Sequence, residues 1–145
     1  MRAARVAVLL GALALAGCGG DGGEEATLTV YLSAPLDGPR AEEGRDVAAG
    51  AELALADAAG EAAGIGVELE VLDGATASGW DAAATGANAR EAIQDSTAIA
   101  YVGELDSGAT RTSLPITNEA GLLQVSAGSG AEDLTRDALG GDEIP

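Results

Sequence analysis

From Ala26 onward the hydrophobic pattern switches repeatedly between a strand period and a helix period, and this alternation most restricts the folds open to the chain. "TLTVYLS", Thr27 to Ser33, is β-branched and aromatic, a strand signal. "PRAEEGRDVAAGAELALADAAG" then puts Val47, Ala51, Leu55 and Ala58 on one stripe of a helix, with Pro39 just before it and Gly60 just after it. "GVELEVLD" alternates Val67, Leu69 and Val71 with Glu68 and Glu70, a strand with one wet face and therefore an edge strand. Trp80 to Ser96 reads as the second helix, with Trp80, Ala84 and Ala87 on one side and Gly86 weakening it by about 1 kcal/mol relative to alanine. "TAIAYVG" is nearly all apolar, as in a strand covered on both faces. A third helix is expected from Ser107 to Glu119, kinked at Pro115 and ended by Gly121. "LLQVS" is a fourth strand, and "AEDLTRDALGGDEIP" a short helical or loop tail. The order β-α-β-α-β-α-β predicts an α/β fold, a parallel sheet with helices on both faces and strand order 2-1-3-4.

The chain has 145 residues, enough for one domain and a modest core. Its residues are 47% hydrophobic but only 2% aromatic, without phenylalanine, so alanine, leucine and valine must do the packing. Small side chains bury little apolar area each, and marginal stability follows. Seven arginines face 24 acids, a net charge of −17. Nucleic acid is excluded as a partner, because phosphate contacts need clustered bases. Most of the acids read as solvated faces.

Two segments precede the domain. Arg2 and Arg5 introduce the apolar run Val6 to Ala16, too short to span a bilayer with ease. It ends in "LAGC", where Cys18 is the only cysteine. This resembles the bacterial lipobox. The resemblance implies cleavage before Cys18, thioether lipidation of its thiol and acylation of the new N-terminus, which together give a stable membrane anchor. On this reading residues 1–17 are a lipoprotein signal peptide, residues 18–26 ("CGGDGGEEA") a flexible charged tether, and residues 27–145 the folded part.

Catalysis finds few candidates. Histidine and lysine are absent, and lipidation consumes the one thiol, so Ser-His-Asp chemistry and nitrogen- or sulfur-ligated zinc are excluded. No phosphate loop or dinucleotide fingerprint is present, and Glu42 and Glu43 are neighbours that do not face each other on a helix. No metal and no cofactor is expected. Binding is the remaining class. In an open α/β sheet ligands lie beyond the carboxyl ends of the strands at the switch point, here between strands one and three. The loops there are Ser33 to Gly44, Gly103 to Thr110 and Ser126 to Asp133, rich in Gly, Ser and acids. Within "GELDSGAT", Ser107 and Gly108 fall at a helix N-terminus, whose free N–H groups suit a carboxylate. The same residues also read as a cap, with Asp106 or Ser107 contributing about 1 kcal/mol of helix stability; the two roles are compatible.

Three stretches, "SAPLDGPRAEEGRDVAAGAELALADA", "YVGELDSGATRTSLPITNEAGLLQVS" and "SAGSGAEDLT", resemble the first part of the type I periplasmic-binding fold, in the leucine/isoleucine/valine-binding branch of ABC-importer solute receptors. The likeness runs from about Thr27 to Thr135. It implies that Ser107 and its backbone N–H hold the α-carboxylate of an amino acid, and that Gly128 and Ser129 lie in the loop that holds the α-ammonium. Gly130 stands where many members have threonine, Glu43 where many have an aromatic residue, and Asp106 where small residues are frequent. These departures leave room for a cationic, larger or non-amino-acid ligand. Family members exceed twice this length, so residues 27–145 are expected to supply the N-terminal part of the first lobe, the second lobe being absent. The resemblance implies a lipid-anchored extracytoplasmic receptor that captures an amino acid or similar small polar solute by cleft closure and delivers it to an ABC permease. A ligand-sensing lipoprotein signalling to a membrane partner, and a structural surface protein, are the alternatives.

Overall fold

A computed structural model of the chain describes residues 27–135. The signal peptide, Cys18 and the tether lie outside the described residues, as does the tail beyond Thr135. The described elements are β1 (Thr27–Ala34), a 3-10 turn (Gly38–Arg40), α1 (Ala41–Asp57), β2 (Glu61–Ala62), β3 (Ile65–Asp73), β4 (Ala75–Thr76), β5 (Gly79–Trp80), α2 (Ala82–Gln94), β6 (Ala98–Val102), α3 (Ser107–Glu119), β7 (Leu123–Val125) and a 3-10 turn (Glu132–Thr135). None of the described helices is long and apolar enough to cross a membrane.

The main sheet runs β2-β3-β1-β6-β7, so the expected order of four parallel strands is present as β3-β1-β6-β7. The addition is β2, a two-residue strand antiparallel to β3 that takes the edge position expected for β3 itself. Tyr31 pairs with Tyr101 and Leu32 with Val102, which aligns the carboxyl ends of β1 and β6 side by side.

Alternation along β1 divides the core between two faces. Leu32 and Ala34 point toward α1 and pack with Ala48, Val47, Ala51, Leu69, Val71 and Val102. Tyr31 points the other way and packs with Tyr101, Ala89 and Ala92 beneath α2, with Ile116 of α3 against them. Helices therefore cover both faces, as the alternation of periods requires. With alanine as the main packing residue, backbones must come close. Gly44 of α1 sits so near the end of β1 that a Cβ there would overlap the Pro35 carbonyl.

Three expectations change. The second helix begins at Ala82 behind an Asp81 cap whose carboxylate accepts from Ala84 N–H at 2.8 Å, so Trp80 is not helical but lies in the β4–β5 hairpin. Its buried stripe is Thr85, Asn88, Ala89 and Ala92, and Ala87 is exposed. A stripe counted from Trp80 was displaced because the cap at Asp81 resets the helix origin. Finally, β6 is not fully covered on both faces: Ile99 is 43% exposed, and Leu123 and Val125 on the neighbouring β7 are 63% and 51% exposed, because among the described residues α1 packs chiefly on β1 and β3.

Candidate functional site

The tips of β1 and β6 are neighbours, and four segments meet above them. Each is held by identifiable bonds. Asp73, at the end of β3, accepts from the N–H of Leu36 and of Ala75, both at 2.9 Å, and so ties the loop after β1 to the β4–β5 hairpin. Gly38 seats that loop against the hairpin: its φ is +76°, and a Cβ would overlap the Thr76 carbonyl. The loop after β7 is fixed by serines. Ser126 Oγ donates to the Glu104 carbonyl at 2.6 Å, and Ser129 N–H donates to Ser126 Oγ at 3.0 Å.

The fourth segment is the turn into α3. Asp106 occupies the cap position with extended backbone, φ −103° and ψ 132°, yet its carboxylate makes no capping bond. Arg40 Nη1 takes it instead, at 2.6 Å. The same guanidinium donates to Glu43 and, at 3.4 Å, to the Leu105 carbonyl. Hydrogen bonding to Glu43 is the main influence holding Arg40 above its ordinary pKa, with Asp106 adding to it. The first bond of the helix is Thr110 N–H to the Asp106 carbonyl, 2.9 Å. No acceptor among the described residues meets the N–H of Ser107 or Gly108. Diverting the cap to Arg40 thus leaves the positive end of α3 unsatisfied, an arrangement that favours an anion.

Beneath this turn lies a buried polar cluster. Glu104 is 2% exposed, accepts from Tyr101 Oη at 2.7 Å and from Ser33 Oγ at 2.9 Å, and through its backbone N–H reaches Thr110 Oγ1 at 3.3 Å. Ser33 in turn accepts from Asn88 Nδ2 at 3.0 Å, which fixes the serine hydrogen toward Glu104. Burial raises the Glu104 pKa above the usual carboxylate range, against the opposing pull of the Tyr101 and Ser33 donors. Burial, and then the Glu104 charge, also raise that of Tyr101. Gln124 extends the cluster, donating to the Gly103 carbonyl at 2.9 Å and to Ser113 Oγ at 2.8 Å.

Of the residues singled out from sequence, Ser107, Gly108 and Asp106 stand together at the turn, half-buried. Glu43 is exposed on α1 and joins Asp106 only through Arg40. Gly128 backs onto Leu105, where a Cβ would come 2.9 Å from the carbonyl oxygen. Ser129 Oγ lies 2.6 Å from Thr110 Oγ1 and 3.3 Å from the Glu104 carbonyl, and Ser107 Oγ accepts from Ala131 N–H at 3.3 Å while keeping its own hydrogen. Arg40, Glu104 and Trp80 were missed. Arg40 had a local signal, the Arg40–Glu43 spacing of three. Glu104 had none, since nothing in "GELDS" separates an inward acid from a solvated one. Grooves of about 430, 290 and 470 Å3 lie away from this turn, at the α3–β7, α1–β3 and α2–α3 contacts. Among the described residues no cluster of His, Cys, Asp or Glu could hold a metal ion.

No protein-family model matches the chain, and no curated protein matches it in sequence. Solved structures do. A leucine-binding protein, LivK, from Thermotoga maritima superposes with TM-score 0.66 at 25% identity, over 74% of this chain and 29% of its own. The branched-chain amino acid transporter substrate-binding protein LivJ from Streptococcus pneumoniae, solved with isoleucine, gives 0.66 at 26% identity over 75% and 31%. A solute-binding protein of an ABC transporter from Rhodopseudomonas palustris, solved with 3,4-dihydroxybenzoic acid, gives 0.68 at 22% identity over 77% and 30%, a likeness of fold. The chain thus spans under a third of the length of these proteins, and carries the mostly parallel α/β sheet of their periplasmic-binding fold.

Proposed function

We propose, on the premise of this shared fold, that the chain forms one wall of the ligand cleft of an extracytoplasmic solute-binding component of an ABC importer. Its solute is an amino acid or a similar small carboxylate, closure of the cleft commits it, and a membrane permease receives it. Lipid attachment at Cys18 would keep the receptor at the outer face of the cell membrane, and the lipobox supports that reading. The observation that carries the proposal is the uncapped start of α3: Asp106 turned to Arg40, and the N–H groups of Ser107 and Gly108 left for a carboxylate at the switch point. The likeness to the leucine-binding protein and to the isoleucine complex supports an amino-acid-sized ligand.

Ser107→Pro tests this at little structural cost. Proline is well tolerated at the first helical position, and the extended conformation of Asp106 is what a residue before proline prefers. The substitution removes one N–H from the turn and also the hydroxyl that accepts from Ala131, so Ser107→Ala, which loses the hydroxyl alone, is the reference. Calorimetric titration with leucine, isoleucine and small carboxylic acids is expected to show affinity reduced by about tenfold or more, the worth of a charge-assisted bond, with the unfolding midpoint nearly unchanged. Unaltered affinity in the variant would remove the α3 turn from the binding site.

A further inference from the structure

We infer that Asp37–Gly38, in the loop after β1, is a site of spontaneous isoaspartate formation, and that the fold withholds the same chemistry from Asp73–Gly74. The inference stands apart from the solute-binding reading and goes beyond it. The chain holds three Asp–Gly dipeptides, Asp21–Gly22, Asp37–Gly38 and Asp73–Gly74, of which the last two lie in the described residues. In such a pair the following backbone nitrogen reaches the side-chain carboxyl carbon with little hindrance, because glycine has no Cβ to obstruct a close approach. The Gly38 nitrogen adds to the carboxyl carbon of Asp37 in its neutral acid form. The amide proton and the acid hydroxyl leave together as water, and a five-membered succinimide closes. One water then opens the ring. Attack at the side-chain carbonyl restores aspartate, whereas attack at the main-chain carbonyl leaves Asp37 joined to Gly38 through its side chain. The sequence of steps consumes no oxidant, reductant or other co-reactant.

Geometry separates the two dipeptides. Asp37 is exposed, and the Gly38 nitrogen lies 2.7 Å from Asp37 Oδ1, its N–H donating to that oxygen. The oxygen is bonded to the carbon under attack, so nucleophile and electrophile already stand together. Asp37 has extended backbone, φ −124° and ψ 165°, and Gly38 follows at φ +76°. Asp73–Gly74 is the same dipeptide in opposite circumstances. Gly74 is buried, and its N–H donates to the Ala34 carbonyl at 3.0 Å, away from the Asp73 side chain. The Asp73 carboxylate accepts from the N–H of Leu36 and of Ala75, both at 2.9 Å, and the Asp73 carbonyl accepts from Asn88 Nδ2 at 3.0 Å. For Gly74 to react, it must leave Ala34 while Asp73 leaves its donors, which opens the junction of β1, β3 and α2 rather than turning one side chain. Isoaspartate at position 37 adds one methylene to the main chain of a loop that carries Arg40, whose guanidinium holds Asp106.

The test ages the 145-residue chain at neutral pH, cleaves it after arginine and locates isoaspartate by electron-transfer fragmentation, which tells Asp21 from Asp37 within one peptide. The folded chain is expected to carry at least about tenfold more isoaspartate at position 37 than at position 73, since freeing the Gly74 N–H breaks at least one buried hydrogen bond. The same ageing in urea should bring the ratio close to one, because the fold no longer distinguishes the two dipeptides. Equal isoaspartate at the two positions in the folded chain overturns the inference. So does its absence from position 37 of the folded chain after an ageing that modifies the unfolded chain there. A ratio that survives in urea also overturns it, by assigning the difference to the neighbouring residues Pro39 and Ala75 instead of to the fold.

Discussion

Gly44→Ala is expected to lower the melting temperature of the chain by roughly 10 °C, although alanine is the better helix former. Two effects oppose each other. Alanine in the interior of a helix is favoured over glycine by about 1 kcal/mol. Against this, the new methyl would overlap the carbonyl oxygen of Pro35 and lie 2.7 Å from its carbon. Pro35 is buried at the end of β1, where Leu32 and Ala34 are fully buried against α1, so neither backbone can move away without opening that layer. Overpacking of this kind costs about 3 kcal/mol, which leaves a net loss near 2 kcal/mol. Gly50→Ala, on the same helix with nothing within 4 Å of the added methyl, supplies the contrast and should gain up to about 1 kcal/mol. Urea or thermal unfolding of the two variants beside the parent measures the difference. Equal stabilities at positions 44 and 50 would mean that α1 does not lie on the end of β1 as described.

The layer order was legible because each period change in the sequence is a direct consequence of burial: Val67, Leu69 and Val71 alternate since one side of β3 faces α1. The bounds of α3 were legible too, because Gly103 before it and Gly121 after it punctuate the chain on both sides. What escaped was set by contacts between distant segments. Trp80 has the spacing of a helical stripe, and only the hairpin between Gly74 and Asp81 takes it out of the helix. The exposure of Leu123 and Val125 depends on how far α1 reaches, which no local pattern encodes. At the site, the position of Ser107 and Gly108 followed from topology alone. The diversion of Asp106 from its cap did not, because it depends on an arginine 66 residues away. Glu104 was invisible for the same reason: its partner Ser33 lies on β1, and Asn88, which orients that serine, lies on α2.

That buried acid makes the stability of the protein fall as pH rises. The folded state holds the Glu104 proton more tightly than the unfolded chain does, because burial raises its pKa. Between the ordinary carboxylate value and the raised one, the native state therefore binds more protons than the unfolded state, and the free energy of unfolding decreases with pH across that window. Below the window both states are protonated and the full contribution is present. Asp95 and Asp133, whose pKa values are lowered by hydrogen bonds from Thr97 and from Arg111, act in the opposite sense, so the effect of Glu104 is read as a difference against a variant. Glu104→Gln keeps the shape and cannot ionise. Its melting temperature relative to the parent is expected to rise as pH climbs above the ordinary carboxylate range and to level off once the raised native value is passed. Glu104→Ala should behave differently at every pH. It leaves Tyr101 Oη and Ser33 Oγ without their acceptor in a site closed to water, and it opens a void under the α3 turn. The loss is about 3 kcal/mol, enough to remove a large part of the stability of a domain whose core is built mostly of alanine. A constant difference between Glu104→Gln and the parent over the whole pH range would place the carboxyl group in water instead of among Tyr101 and Ser33.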